Sequence, residues 1–397
     1  MLDSPKYVSD KINEIQPRSI LKKHDVLTNI VGASIGRTCV YYKDHSANTN
    51  QAVAIIRLID LELVAYIVKC LNSQYCIDLM LENQVNVARA NLSLTSLAGF
   101  LIPVPPREEV KRIVAQLNLI LSHLKSIESN RDGIRDILQR AKALILDLAI
   151  RGQLVPQNPD DEPASVLLER IRAEKERLIK QGKIKRDKRE SVIFRGEDNS
   201  YYETIGGITE NIDEEVPFEI PDTWCFARLN SIYIVNPKND VEDETAVSFV
   251  PMALIDDQFT GHFTCEIKPW RECKRGFMHF ADGDVGFAQI SPCFENRKSA
   301  IFFGLENGYG AGTTELFILR SYCNTISPEY TLNLVKSGYF INRGKGTFSG
   351  VVGQQRIDKN VVLETLVPIP PVWEQWRIVE RTAQLFSLLD AILSAVE

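Results

Sequence analysis

The stretch LIPVPP at residues 101–106 recurs as LVPIPP at residues 366–371, and each copy is followed by an Arg-Ile-Val triplet. The triplets begin at Arg112 and Arg377, an offset of 265 residues, and Glu109 and Glu374 fall in the same register. Several short matches in the same order at one spacing are not expected by chance. The sequence therefore predicts an internal duplication, with a proline step and a helix closing each unit.

A second match lies upstream of each proline step. Asp25 opens a strand-like run that ends at Arg57, and Asp284 opens a similar run that ends at Arg320. The offsets there are 259 and 263 residues, which indicates a short insertion between the copies. The second globular part begins near residues 217–224 (PFEIPDTW), whereas only 24 residues precede Asp25. We therefore expect the first unit to lack its opening segment.

Apolar residues after the first proline step recur at alternating spacings of three and four, interrupted only at Arg131, as in helices that pack along a seam. They are Val110, Ile113, Leu117, Ile120, Leu124, Ile127, Ile134, Leu138, Ala141, Ile145 and Leu148. The second copy has Ile378, Leu385, Leu389, Ile392 and Val396, with Thr382 at one seam position. A helix over residues 110–148 would be about 58 Å long. It either lies on a globular domain or pairs with the second helix as an antiparallel coiled coil.

The segment between the units contains a turn rich in glycine and proline at residues 152–163. Such residues end one helix and precede the next, which is predicted from about residue 164 to residue 180. A basic run follows at residues 183–189. It is either a solvated linker or a contact for phosphate or for an acidic partner.

The composition is that of an ordinary globular protein, with 44% hydrophobic and 25% charged residues among 397. No apolar run reaches the roughly 18–20 residues that cross a bilayer, and the first residues lack a signal-peptide pattern. We therefore expect a cytoplasmic protein without a membrane segment. The eight cysteines and five histidines show no metal-binding spacing. The net charge of −6 counts against nucleic-acid binding, although only charge on the binding face decides it.

Taken together, these segments resemble the specificity subunit of type I restriction-modification systems. The strongest match is the stretch RGQLVP at residues 151–156, DEPAS at residues 161–165 and RIRAEK at residues 170–175. It is similar to the conserved region between the two target-recognition domains of that family. The twin proline steps resemble the ends of those domains, and residues 217–224 resemble the entry into the second one. NTNQA at residues 48–52 is similar to a stretch inside such domains.

The resemblance implies an α+β fold, with two β-rich target-recognition domains joined by long helices that form an antiparallel coiled coil in a pseudo-twofold repeat. The implied domains are residues 1–106 (recognition domain 1, incomplete at its start), 107–212 (central helical region), 213–371 (recognition domain 2) and 372–397 (a shortened helix). Each recognition domain would read one half of a split double-stranded DNA site, and the helices would set the gap between the halves.

The resemblance also implies partners. Two methyltransferase subunits, which carry S-adenosylmethionine, and a motor-nuclease restriction subunit would assemble on this chain. No cofactor or metal is expected in the chain itself. The alternative is a truncated specificity subunit that acts mainly as an assembly scaffold and reads DNA weakly or at one half-site.

DNA reading requires side chains that reach base edges, together with cations and amides near phosphates. In the first domain the candidates are Arg37, Asn48, Asn50, Gln51, Arg89 and Asn91. In the second they are Arg271, Lys274, Arg275, Arg297, Lys298, Arg343, Lys345, Ser349, Gln354, Gln355 and Arg356. Glycines at residues 344–350 would allow close backbone approach to phosphate, which Lys345 and Ser349 would then contact.

Catalytic interpretations have little support in the sequence. Asp257, Glu266 and Lys268 imitate a nuclease spacing, but a strand with mixed charges explains them equally well. GYGAG at residues 308–312 is not followed by a helical pattern, so we expect a hairpin or recognition loop there rather than a nucleotide-binding loop. The motif of adenine methyltransferases does not occur. We therefore predict a binding protein without an active site of its own.

Overall fold

The structure is a computed structural model that describes residues 7–86, 90–184, 186, 190–322, 325–351 and 353–396. The chain divides into two compact units, Met1–Asn130 and Arg131–Glu397. Both units combine helices with sheets, which confirms the predicted α+β class. Within the described ranges, no helix has both the length and the apolar character needed to cross a membrane.

The first unit is built from short strands and helices. These are α1 (Asp10–Ile15), β1 (Ile20–Leu21), β2 (Val26–Asn29), β3 (Thr38–Val40), β4 (Ala47–Asn48), β5 (Val53–Ile56), α2 (Val64–Leu71), α3 (Gln74–Glu82), β6 (Gln84–Asn86), β7 (Ala90–Leu92) and α4 (Leu94–Ala98). The antiparallel sheet has the order β3-β2-β5, while β1 pairs with β4 and β6 with β7. Val26, Met80 and Leu92 are fully buried in its core.

The long helix α5 (Arg107–Ile150) begins in the first unit and continues into the second. The second unit then contains α6 (Ala164–Lys180), β8 (Ser191–Arg195), β9 (Tyr201–Ile205), β10 (Ile208–Asn211), β11 (Cys225–Arg228), α7 (Leu229–Ile232), β12 (Tyr233–Val235), β13 (Ala246–Val250), β14 (Glu266–Pro269), α8 (Trp270–Cys273), β15 (Met278–Ala281), β16 (Val285–Ala288), β17 (Ser299–Ile301), β18 (Tyr309–Gly312) and β19 (Leu316–Ser321). It ends with α9 (Pro328–Lys336), α10 (Gly338–Lys345), α11 (Lys359–Leu363), β20 (Leu366–Ile369) and α12 (Val372–Val396).

The main sheets of the second unit have the orders β12-β19-β16-β17 and β14-β13-β18-β15. Only the β13–β18 pair among these is parallel in the described residues. A separate sheet has the order β10-β9-β8, and β11 pairs antiparallel with β20. Large side chains such as Phe226 on β11, Phe317 on β19 and Tyr330 on α9 are fully buried in one core cluster of this unit.

The duplication predicted from sequence is visible in the strand pairing. In the first unit β2 pairs with β3 and β5, so that Val26 lies opposite Val40 and Ile56. In the second unit β16 pairs with β17 and β19 in the same antiparallel arrangement, with Val285 in the position of Val26. Two helices follow in each unit, α2 and α3 in the first and α9 and α10 in the second. The second helix of each pair is capped by a serine, Ser73 before α3 and Ser337 before α10. The two units therefore share a repeated substructure.

The predicted helix pairing is present inside the second unit. The Lys142 side chain on α5 binds Asp390 near the end of α12, at 2.5 Å, and contacts the Phe386 ring. Near the start of α12, Glu374 binds Gln157, which follows α5. The residues pair in opposite chain order, so the two helices run antiparallel. The seam residues Ile378 and Thr382 are buried as predicted.

Other predicted seam positions are exposed. On the part of α5 that belongs to the first unit, Ile120, Leu124 and Ile127 lie at seam positions and are exposed. On α12, Ile392 is also exposed. The heptad pattern identified the helices correctly and overstated how much of the seam is covered.

The prediction of a hairpin or recognition loop at residues 308–312 is wrong. Most of this stretch is the buried strand β18, which lies between β13 and β15. A Cβ at Gly310 would collide with the Phe280 ring, and one at Gly312 would lie 2.6 Å from the Val250 carbonyl oxygen. The glycines are therefore required for close packing of the sheet and not for a mobile loop.

Candidate nucleic-acid interface

Three chain segments of the second unit meet at one place, which we call the second-unit cluster. They are the loop at residues 289–298, the turn at residues 313–315 and the hairpin at residues 349–351 and 353–356. The Gln289 backbone N–H donates to the Glu315 carbonyl at 2.8 Å, and the Ile357 N–H donates to the Gln289 carbonyl at 3.1 Å. Backbone hydrogen bonds between Ser349 and Arg356 close the hairpin.

Local packing fixes the hairpin at the end of α10. Phe294, on the loop of the cluster, is buried and contacts Phe348 with ring centroids 6.0 Å apart. A Cβ at Gly344 would collide with the Phe294 ring, so this glycine permits packing rather than phosphate approach. Gly350 has φ +111°, a conformation that other residues rarely adopt, and it allows the hairpin to turn.

Four of the eleven second-unit candidates lie on the hairpin of this cluster, and Lys345, at the end of α10, reaches its loop. Arg356 donates two hydrogen bonds to the Glu315 carboxylate, at 2.9 and 2.6 Å. Lys345 forms an ion pair with Glu295 at 3.2 Å. Ser349 and Gln354 are exposed, and Gln355 is half-buried. The fold therefore brings together these candidates, which the sequence had singled out by residue type.

The cations of the cluster are neutralised in the free protein. The hydrogen bonds that Arg356 donates to the Glu315 carboxylate raise the pKa of the guanidinium above its ordinary value. Both pairs are accessible to solvent, where such ion pairs contribute little and are screened by salt. A phosphate or a base edge can therefore compete for Lys345 and Arg356 at small cost.

The first unit contains the same arrangement, which we call the first-unit cluster: residues 30–37, the turn at residues 50–52, and the β6–β7 hairpin. The Ile30 N–H donates to the Ala52 carbonyl at 2.8 Å, and the Leu92 N–H donates to the Ile30 carbonyl at 2.9 Å. A bridge joins Val31 to Asn91 as one joins Ile290 to Arg356. Asn91 therefore occupies the position of Arg356.

The side chains on the first-unit cluster differ from those on the second. Arg37, Gln51 and Asn91 are exposed. The Asn50 side chain accepts a hydrogen bond from the Ala52 N–H at 3.0 Å and thereby fixes the turn, as Thr313 does in the second unit. A cavity of about 650 Å³ opens at this cluster and is lined by Val31, Ser34, Ala52, Gln84 and Ala90 among others.

Four candidates are engaged inside their own unit. Arg297 donates to the Lys336 carbonyl and lies over the Phe259 ring, and Lys298 donates to two main-chain carbonyls. Arg343 donates to Thr365, and Asn48 binds Asn13 and Ser19. These contacts favour structural roles over DNA contact for all four.

Three further candidates lie on the other sheet of the second unit, at α8. Arg271 binds Glu244, and Lys274 binds Asp243 at 2.7 Å. Arg275 is exposed and has no hydrogen bond or ion pair to the residues that the structure describes. These three therefore lie apart from the second-unit cluster, and two of them are paired with acidic side chains. Arg89, the remaining candidate, lies outside the described residues.

Sequence reasoning missed several members of the clusters. Glu295 and Glu315 bind the candidate cations, and Thr313 and Gln289 fix the turn and the loop. The duplication contained the necessary signal, because Thr313 and Glu315 lie 263 residues after Asn50 and Ala52. Applying the offset to every candidate would have identified the turn. Among the described residues, no group of histidine, cysteine or acidic side chains is arranged to bind a metal.

Comparison with known proteins supports the resemblance drawn from the motifs. The EcoAI type I restriction enzyme specificity subunit of Escherichia coli is 45% identical over 256 residues, which are 64% of this chain and 40% of that protein. The EcoEI specificity subunit of the same species is 42% identical over 256 residues, with the same coverage. The matches thus span about two fifths of the length of these relatives. No protein-family model matches the chain.

A solved structure shares the fold. A chain from a structure on complex assembly and conformational transition of the type I R-M system aligns with a TM-score of 0.58 at 14% identity, covering 95% of this chain and 77% of that one. The predicted resemblance to type I specificity subunits is therefore confirmed by sequence over the matched residues. The fold is shared with the solved structure over most of the chain.

Proposed function

We propose that this chain reads DNA sequence for a type I restriction-modification complex, through one cluster in each unit. The observation that carries the proposal is the repetition of one backbone arrangement with different exposed side chains. Asn91 and Gln51 in the first unit stand where Arg356 and Thr314 stand in the second. A shared scaffold with different polar side chains is what two different half-sites require.

The chemistry of these side chains suits base and phosphate contact. Asparagine and glutamine pair with adenine edges, arginine pairs with guanine, and lysine and serine bind phosphate. In the second-unit cluster Arg356 and Gln354 would contact bases, while Lys345 and Ser349 would contact the backbone. Asn91 and Gln51 would contact bases in the first-unit cluster, with Arg37 on phosphate.

The helical region would supply a rigid support and a surface on which partner subunits assemble. Within the second unit α12 packs antiparallel to α5. A pair of packed helices is stiff, so it would hold a bound subunit at a fixed position. We propose that two methyltransferase subunits assemble on this helical region and bind S-adenosylmethionine. A restriction subunit would join them, and this chain would supply no catalytic group.

Binding to duplex libraries in the presence of methyltransferase subunits tests the proposal. Selection should enrich a split sequence, and affinity should fall steeply as salt rises. Arg356→Ala should cost about 1–3 kcal/mol at one half of the site. The control is Arg195→Ala, at a surface arginine of β8 that pairs with Asp222, and it should leave the reading of both halves unchanged. Equal affinity for all duplexes would contradict the proposal.

A second function, assembly of the methyltransferase complex with weak or half-site reading, is favoured by one observation. The segment at residues 101–104 of the first unit is largely exposed where its counterpart in the second unit is buried. If the first unit reads poorly for this reason, selection should enrich only one half-site. Substitutions at Asn91 would then have no effect, while those at Arg356 would abolish the remaining selectivity.

A further inference from the structure

A buried lysine fixes the end of the loop at residues 289–298 of the second-unit cluster. The Nζ of Lys336, the last residue of α9, donates to the Arg297 carbonyl and to the Gln258 carbonyl, each at 2.8 Å. In return, the Arg297 Nε donates to the Lys336 carbonyl at 2.9 Å. Lys336 therefore connects this loop both to α9 and to the segment that contains Gln258.

The surroundings of this lysine are costly. Lys336 is 2% exposed and forms no ion pair inside the described part of the chain. Removing an ammonium group from water without a carboxylate partner costs free energy, and a methionine would fill the same space more cheaply. Gln258 and Arg297 both have a φ of +57°, in the left-handed region that residues other than glycine rarely adopt. Costs of this kind are typical of backbone geometry that a function requires.

The first unit has an equivalent contact. Asn72 follows α2 and precedes the capping Ser73, as Lys336 precedes the capping Ser337. The Asn72 side chain donates to the Thr38 carbonyl at 3.0 Å and accepts the Thr38 backbone N–H at 3.3 Å. Thr38 is the residue that directly follows the loop at residues 30–37 of the first-unit cluster. Each unit therefore fixes the end of its loop from the same position on the helix.

The two contacts differ as the two loops differ. The loop between the paired strands is residues 30–37 in the first unit and residues 289–298 in the second, which is two residues longer. The short Asn72 side chain binds the residue at which the first loop ends. The longer Lys336 side chain binds Arg297, two residues before β17 begins. The side chain that fixes each loop thus matches the length of that loop.

The same loops hold the hairpins that carry the candidate base contacts. A bridge joins Ile290, on the second-unit loop, to Arg356 on its hairpin. A bridge joins Val31, on the first-unit loop, to Asn91 in the same way. A displacement of either loop would therefore displace the hairpin that is bonded to it.

The segment that Lys336 binds also rests on α12. The Phe259 ring contacts the Phe386 ring of α12 with centroids 5.7 Å apart, and the Arg297 guanidinium lies 5.0 Å from the Phe259 ring centroid. Because α12 packs against α5, the second-unit loop is positioned relative to the helix pair.

We propose that Lys336 and Asn72 are positioning residues for DNA reading, each of which sets the half-site discrimination of its own unit through the loop that it binds. Neither residue contacts a base. Lys336 fixes the position of the hairpin that carries Arg356, and Asn72 fixes that of the hairpin that carries Asn91. This role rests on the proposed function, in which each cluster reads its own half-site.

Binding of the full chain, with methyltransferase subunits, to duplexes that carry single-base changes in either half tests the proposal. Lys336→Met keeps the length of the side chain and removes its donors, so discrimination should fall about tenfold in the half that Arg356→Ala alters and stay unchanged in the other. Asn72→Ala, at an exposed position, should have the reverse effect, in the half that Asn91→Ala alters.

Tyr330→Phe and Tyr66→Phe are matched controls on α9 and α2. Each removes a buried hydroxyl that donates to a carbonyl of the proline step in its own unit and that does not contact the loop. Both should destabilise the fold but leave discrimination in both halves unchanged. Amide exchange at residues 297 and 298 should accelerate in Lys336→Met and not in Tyr330→Phe.

The outcomes separate this role from the proposed function. A split site that Lys336→Met and Asn72→Ala discriminate as sharply as the unchanged chain does would overturn the positioning role alone. An equal loss in both halves, or the same loss in Tyr330→Phe, would overturn it in favour of a purely structural contact. If the unchanged chain had no sequence preference, the proposed function would be overturned together with it.

Discussion

Arg320 binds the buried carboxylate of Asp284 through Nε and a terminal nitrogen, at 2.8 and 2.7 Å. Arg57 binds Asp25 in the same way, at 2.7 and 2.6 Å. Each aspartate also accepts the backbone N–H of the residue three positions before it. In the first unit the ion pair therefore connects the start of β2 to the end of β5. In the second unit it connects the start of β16 to the end of β19. It is a structural part of the repeated substructure rather than a surface ion pair.

Removing the aspartate carboxylate from one unit should destabilise that unit and leave the other unchanged. Asp284→Asn leaves the Arg320 guanidinium partly buried without a charged partner, which should cost about 2–4 kcal/mol. Asp25→Asn should cost less, because Arg57 is more exposed than Arg320. Amide exchange should accelerate in β16 and β19 for the first variant and in β2 and β5 for the second. Faster exchange in both units from either change would contradict this assignment.

Lys336 should make stability depend on pH. Burial, and secondarily the nearby Arg297 charge, lower the pKa of Lys336 to about 7, although its Nζ donates to the carbonyls of Gln258 and Arg297. In the unfolded chain this lysine stays protonated up to its ordinary value of 10.5. Unfolding therefore takes up a proton between those two pH values. The free energy of unfolding should rise with pH in that window, by up to about 1.4 kcal/mol per unit.

Denaturant titrations from pH 6 to 10 measure this contribution. The Lys336→Met variant has no group to titrate at this position, so the difference in stability between the two proteins should grow in favour of the unchanged chain from pH 7 upward. Below pH 7 the difference should be constant, because the lysine is protonated in both states. A difference that is constant over the whole range would show that Lys336 titrates normally.

Glu315 should restrain DNA binding by occupying Arg356. Glu315→Gln removes the charge but keeps the size of the side chain, so it frees the guanidinium for phosphate or a base edge. We expect higher affinity for duplexes of any sequence, by about threefold to tenfold at low salt, and a steeper salt dependence. Fluorescence anisotropy at several salt concentrations provides the measurement. Glu244→Gln, which frees Arg271 on the other sheet, is the matched control and should have little effect.

The duplication and the long helices could be predicted because both leave local signals in the sequence. The twin proline steps gave the offset, and the apolar spacing placed a helix at residues 110–148, against the observed Arg107–Ile150. Periodicity reports only which residues share a face of a helix. It does not report whether a neighbour covers that face, and Leu124 and Ile127 are accordingly exposed.

The candidate site was predicted less well, because residue type does not reveal what a side chain contacts. Arg297 and Lys298 look like Lys345 and Arg356 in the sequence, yet their donors bind main-chain carbonyls of distant segments. The glycines at residues 310 and 312 suggested a loop, and only the position of Phe280 shows why a strand needs them. Whether such a residue is structural or available to a ligand depends on contacts between segments far apart in the chain.

Mapping of methylated sites in a host that carries this chain with its methyltransferase subunits tests the central claim most directly. We expect a split sequence in which Arg356→Ala and Gln354→Ala alter one half, while Asn91→Ala and Gln51→Ala alter the other. Methylation without sequence preference, or substitutions in one unit that change both halves together, would contradict the claim that each cluster reads its own half-site.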